Sequence, residues 1–213
     1  MKLARTLLLA LGLAAAGLAA ATPEELIRPI QDQWADIKYR QPEKQQADAY
    51  ARLAEQVRKI VDGNPGVAEP LIWEGIVLSS EAGAKGGLGA LGLAKEARAR
   101  LDDALKIDDK ALSGSAYTSL ATLYAKVPGW PVGFGDKKKA EEYFKKSLAI
   151  NPTGIDPNFF YAEYLADHDR HAEARTHLDA ALKAPPRPGR ELADSGRRQE
   201  IQALLARLTK EGK

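Results

Sequence analysis

Residues 126–152 read KVPGWPVGFGDKKKAEEYFKKSLAINP, and the two halves of this stretch obey different rules. From Asp136 onward it is a helix with both ends marked. Asp136 is a good N-cap, since its carboxylate accepts the free N–H groups of a first turn. Ala140, Phe144, Ser147 and Leu148 recur at the helical period of roughly 3.6 residues and make one packing face. Asn151-Pro152 ends the helix, because the residue before a proline is forced out of the α region. From Val127 to Gly135 no helix is possible, because two prolines and three glycines interrupt it. Yet Trp130, Val132 and Phe134 are too apolar for an ordinary solvated loop. A loop carrying large apolar groups therefore feeds a helix with a defined packing face.

The flanking sequence has the same helical character. Thr22-Pro23 sets an N-cap followed by proline at the first helical position, and the pattern predicts a helix to about Arg40. Pro42 breaks it. A second helix runs from Glu43 to about Asp62 and stops at Gly63-Asn64-Pro65-Gly66. A third opens at Pro70-Leu71 and closes near Ala82. Residues 83–92 hold five glycines and read as a loop. Leu93 to Ile107 is helical again, and Asp108-Asp109 caps a successor that ends near Lys126. Further helices are expected from Asp156-Pro157 to about Asp167, from Asp169 to Lys183, and from about Arg190 to Lys210. No segment alternates apolar and polar residues as a strand does. The fold class is all-α, built of short antiparallel helices.

The helices repeat. Ala140, Phe144, Leu148 and Pro152 recur as Ala174, Leu178, Leu182 and Pro186, each at an offset of 34 residues. Ala97, Leu101, Ala104, Leu105 and Asp109 precede the same register at an offset of 43, and the longer 127–135 connection accounts for most of the excess. A small residue lets two helices approach, and a large one four positions later fills the groove. With its 34-residue period and closing proline, this resembles the tetratricopeptide repeat, strongly over 113–152 and 155–186, fairly over 68–109 and weakly over 22–65. The family's first-helix tryptophan position holds Tyr117 and Asn158 here. The resemblance implies a right-handed superhelix of helical hairpins whose concave side holds another protein. It divides the chain into a signal peptide (1–21), a degenerate hairpin (22–65), repeats (66–186) and a C-terminal capping helix (187–213).

A narrower resemblance rests on PGWPVGFGD running into KAEEYFKKSLAINP in an exported chain. It is similar to a group of bacterial exported tetratricopeptide proteins that includes the T-component associated with TRAP transporters. That implies a protein that binds or hands over small apolar or anionic solutes beside a periplasmic receptor. The chain departs from the group in having no lipobox cysteine.

Residues 1–21 have the form of a secretory signal peptide: Lys2 and Arg5, an apolar run from Leu7 to Leu18, and an A-x-A site at Ala19 and Ala21; the competing reading is a retained membrane anchor, for which the apolar run is short. Cleavage would leave a periplasmic protein with no membrane span. These residues hold two of the 31 basic residues and none of the 29 acidic ones, so the remainder is neutral. That argues against nucleic acid or an anionic membrane as the main partner. The absence of cysteine excludes disulfides, thiolate metal sites and thiol nucleophiles.

No catalytic constellation is evident, and neither an enzymatic activity nor a cofactor or metal is expected. Gly87-Leu88-Gly89-Ala90-Leu91-Gly92 fits G-x-G-x-x-G but follows a helix, whereas a dinucleotide fingerprint follows a strand. His168, His171 and His177 lack the i,i+4 spacing of a helical metal pair. Asp102-Asp103 and Glu141-Glu142 diverge around their helices. Ser195 lacks the nucleophile-elbow pattern.

The site expectation follows from the repeat. Equivalent connections of a solenoid emerge on one edge, so Leu88 and Leu91 should cluster with Trp130, Pro131, Val132 and Phe134. The register of the resemblance places Ile72, Ile76, Thr118, Thr122 and Phe159 on or beside the concave face. Trp130 and Phe134 have a second reading, as apolar plugs of the hairpin end. The leading functional expectation is a scaffold for another envelope protein, with an open concave groove. The alternative is a carrier of a small apolar or anionic ligand, with 127–135 capping a pocket.

Overall fold

Thr22 starts the first helix by a reciprocal cap. Its hydroxyl accepts the Glu25 N–H at 3.3 Å, and the Glu25 carboxylate accepts the Thr22 N–H at 2.8 Å. The computed structural model describes residues 21–211, apart from the side chains of Leu88 and Glu211. The expected signal peptide lies outside them save for Ala21. Nine helices follow: α1 (Pro23–Arg40), α2 (Glu43–Gly63), α3 (Ala68–Lys85), α4 (Gly87–Ile107), α5 (Ala111–Lys126), α6 (Lys137–Ile150), α7 (Ile155–Ala166), α8 (His171–Leu182) and α9 (Glu191–Glu211). No strand occurs among the described residues, so the chain is all-α as expected.

Two connections differ from the expectation. Residues 83–92 are not a loop. Gly83 continues α3, Gly87, Gly89 and Gly92 belong to α4, and Gly86 alone joins the two. Gly86 and Gly87 take positive φ values of 61° and 62°, which turn the chain sharply. Glycine costs a helix about 1 kcal/mol, and the close packing of α3 on α4 outweighs it. Gly75 permits that approach, since a Cβ there would lie 2.6 Å from Leu101 Cγ. The other difference is at α5. Asp108 does accept the Lys110 N–H, at 2.8 Å, but Leu112, Ser113 and Gly114 are left-handed and the regular helix begins after them.

The packing repeats as the sequence does. Ala97, Leu101 and Ala104 on α4, Ala140, Phe144 and Ser147 on α6, and Ala174, Leu178 and Ala181 on α8 are all fully buried. Each is a small residue, a large one four later and a small one three beyond that. Ser147 meets the buried Thr118 on α5, hydroxyl to hydroxyl at 2.5 Å.

The helices form two layers. The odd-numbered ones contact one another in succession, α1 to α3 to α5 to α7 to α9, and α9 returns to contact α1. Each even-numbered helix packs against the odd helices on either side of it. The C-terminal helix therefore does more than cover α8; it also closes the odd-numbered layer between α7 and α1.

Charge holds that closure. Asp156, at the start of α7, accepts Arg197 Nε at 2.9 Å and Arg187 Nη1 at 2.7 Å. Arg187 also binds Asp194, from Nε at 2.7 Å and from its backbone N–H at 2.8 Å. Arg197, only 7 % exposed, donates to Glu200 at 2.6 Å. Glu200 in turn accepts Tyr39 Oη at 3.3 Å and sits 3.5 Å from Lys38 Nζ, both on α1. The Arg197 guanidinium lies over Phe159 and Phe160 at 4.5 and 4.4 Å. Arg28 on α1 donates to the carbonyls of Pro188 and Gly189 at 3.2 and 2.8 Å, which pins the segment leading into α9. Gly196 leaves room for the Tyr39 ring, which a Cβ would approach to 2.3 Å.

Burial alone raises the Asp156 carboxyl, but Arg197 and then Arg187 outweigh it and hold the group well below the ordinary carboxylate range. A folded-state value below the unfolded one gives stability that is complete above about pH 4 and fades as pH falls further. Asp156→Ala strands Arg197 with Glu200 as its one remaining carboxylate, and is expected to cost about 3 kcal/mol in urea unfolding at neutral pH. At pH 3 the loss should shrink. Equal losses at both pH values would contradict this account of the closure.

Candidate functional site

The connection between α5 and α6 is closed on itself. Gly135 N–H donates to Pro128 O at 2.9 Å, and the Val132 and Gly133 N–H groups both reach Gly129 O, at 3.2 and 3.1 Å. Asp136 caps α6 as expected, accepting the Lys138 and Lys139 N–H groups at 2.9 and 3.1 Å. Its own N–H donates to Tyr124 O at 2.9 Å. Glycine is required where the loop folds back. A Cβ on Gly135 would lie 1.8 Å from Val127 O, and one on Gly133 would lie 2.5 Å from Pro128 O. The Trp130-Pro131 peptide is cis.

This closure divides the apolar residues of the loop. Phe134 turns inward, edge-on to Tyr124 at 5.5 Å, with the Arg98 guanidinium 4.4 Å from its centroid. Leu91 on α4 lies beside Gly133. Trp130, Pro131 and Val132 face solvent, Trp130 being 90 % and Val132 60 % exposed. Phe134 is thus the plug and Trp130 is not. The expected cluster forms only in part, since Leu91 touches the base of the loop and the Leu88 side chain lies outside the described residues.

The residues placed on a concave face do not line an open groove. Ile72 is fully buried, and Phe159 is buried beneath Arg197. Thr118 is spent on Ser147, Thr122 donates to Thr118 O at 3.0 Å, and Ile76 is half-buried against the core. The odd-numbered helices cover one another, and α9 covers what a shorter stack would leave open.

A concavity lies elsewhere. A groove of about 520 Å³ runs between α1, α2 and the start of α9. Ala35, Ile37, Ala49 and Leu53 give it an apolar floor. Its walls are polar: Gln31, Gln33, Gln41 and Gln56, with Arg40, Arg52 and Arg190 alongside the acids Asp32, Asp36 and Glu191. Gln33 bridges to Gln56 across α1 and α2 at 3.2 Å, and Arg40 lies 3.4 Å from Asp36. Arg190 stacks on Trp73 at 5.1 Å, and its buried Nε has no hydrogen-bond partner among the described residues. Burial and the neighbouring Arg187 lower the pKa of Arg190. The signal for this groove was present in composition: six of the eight glutamines fall between Gln31 and Gln56.

The histidines are held separately. His168 Nδ1 meets Tyr164 O at 2.8 Å, and His177 Nδ1 meets Asn158 Oδ1 at 2.9 Å. Among the described residues no group of His, Cys, Asp and Glu is placed to hold a metal, and no helix is long and apolar enough to cross a membrane. Gly87–Gly92 lies in the first turns of α4, which α3 precedes directly.

Compared with known proteins, the chain matches no protein-family model and no curated protein.

Trp34 and Trp73 are 8 % and 4 % exposed, so Trp130 is the accessible indole. Acrylamide should quench the native emission in a component that Trp130→Phe removes almost entirely. Equal quenching of the two proteins would place Trp130 inside the fold.

Proposed function

We propose that the chain is an exported, non-enzymatic scaffold of tetratricopeptide type that works in the periplasm. It holds an extended segment of another envelope protein in the groove between α1, α2 and α9. The groove itself carries this reading, with its apolar floor and amide-rich walls running along two helices. An extended chain presents alternating N–H and C=O groups, and glutamine side chains satisfy both kinds. Ala35, Ile37, Ala49 and Leu53 suit apolar side chains projecting from such a segment, and walls with Arg40, Arg52 and Arg190 beside Asp32, Asp36 and Glu191 suit one that carries both signs of charge. The repeat-type scaffold is supported by the small–large–small register buried alike in α4, α6 and α8. The carrier reading draws less support, because it needs 127–135 to cap a pocket and Trp130 is 90 % exposed.

The test is selection of displayed random peptides on the full mature chain, followed by titration of the enriched sequences. Binding should weaken roughly tenfold in Arg52→Ala and be unchanged in Trp130→Ala. Failure to enrich any peptide, or enrichment of peptides that depend on Trp130 instead, would overturn the groove as the binding surface.

A further inference from the structure

The tip of the 127–135 loop is convex, apolar and flanked by unneutralised positive charge. Trp130 and Val132 are 90 % and 60 % exposed, with Pro131 exposed between them. An exposed tryptophan beside two further apolar groups is unusual on a soluble surface. The lysines that follow, Lys137, Lys138 and Lys139, are all exposed. Lys137 and Lys138 have no acidic partner within ion-pair distance among the described residues, and Lys139 lies over the Tyr124 ring at 5.2 Å. Asp136, beside these lysines in sequence, is engaged by two backbone N–H groups at the start of α6, and Asp102 lies close enough to Lys139 to feel its charge. The neutrality of the chain as a whole therefore conceals a local cationic rim.

We infer that this tip seats on an anionic phospholipid surface, with Trp130, Pro131 and Val132 entering the interface and Lys137 and Lys138 meeting lipid phosphates. Three features favour a bilayer over a protein pocket. Tryptophan belongs at the headgroup level, where its ring is apolar and its Nε1 stays wet. The loop also carries few groups that apolar surroundings penalise. Pro128 and Pro131 have no N–H, and those of Val132, Gly133 and Gly135 already donate within the loop. Finally, peripheral binding combines buried apolar area with attraction of lysines to anionic headgroups, and the tip presents both within a few residues. Gly133 and Gly135, packed against Val127 and Pro128, keep the tip in one shape, which lowers the ordering cost of insertion. This inference uses a different surface from the groove and stands or falls apart from it.

The experiment is sedimentation of the mature chain with vesicles of phosphatidylglycerol and of phosphatidylcholine, with tryptophan emission followed in parallel. Phosphatidylglycerol vesicles should carry the protein down and shift the Trp130 emission to the blue, and phosphatidylcholine vesicles should do neither. Trp130→Ala should weaken binding at least about tenfold. Lys137→Ala with Lys138→Ala should weaken it by roughly fivefold for each lysine, and high salt should do the same. These side chains are exposed, so circular dichroism should remain native in every variant. Absence of binding to phosphatidylglycerol, equal binding to both lipids, or binding that survives Trp130→Ala would each overturn the inference.

Discussion

Asp156 is held between Arg197 and Arg187, where the hydration it gives up on burial is offset only because both guanidinium groups are present. The placement of α9 follows from that contact. Arg197 passes the charge on to Glu200, and Glu200 passes it to Tyr39 and Lys38 on α1. One chain of ionic contacts thus ties α7, α9 and α1 together. Ile201 and Leu208, fully buried on the same helix, add apolar area to this closure. Ionic contacts decide which way α9 faces, and the apolar stripe supplies the driving force.

The closure bears directly on the proposed function. A stack of helical hairpins ordinarily recognises partners on the surface of its first helices, and here that surface is internal. Trp73, Phe159 and Phe160 meet arginines of the chain itself, Arg190 and Arg197. Two surface features stay clear of this closure, and they are the two proposed as binding surfaces. One is the amide-walled groove beside its first turn, and the other is the tip beyond α5. Their chemistries differ, since one is concave with polar walls and the other is convex and apolar.

Much of the fold was legible in the sequence, because capping and periodicity are local. Thr22, Asp136 and Asn151-Pro152 each mark a helix end that the structure keeps, and the alanine-led register at 97, 140 and 174 marked the buried faces correctly. The failures were of tertiary origin. Glycines at 83–92 read as a loop because propensity counts their entropy and not the packing of α3 on α4 that Gly75 permits. The position of α9 was hidden because Arg197 and Asp156 are 41 residues apart, and nothing local announces that they pair. The expected loop cluster forms only at its base, where Leu91 lies beside Gly133. Which ring of the loop turns inward, Phe134 and not Trp130, depends on Gly133 and Gly135 folding it onto Val127 and Pro128. The groove was missed because its walls come from a hairpin that repeats poorly and from the start of α9, and only the run of glutamines hinted at it.

The closure of the odd-numbered layer by α9 is the claim on which the rest stands, and amide hydrogen exchange of the full chain tests it most directly. If α9 is part of the cooperative structure, amides at 195–208 exchange as slowly as those at 158–165 in α7. If α9 is only loosely laid on the stack, its amides exchange orders of magnitude faster than those of α7. The faces of α1 and α7 that α9 contacts would then be open to solvent.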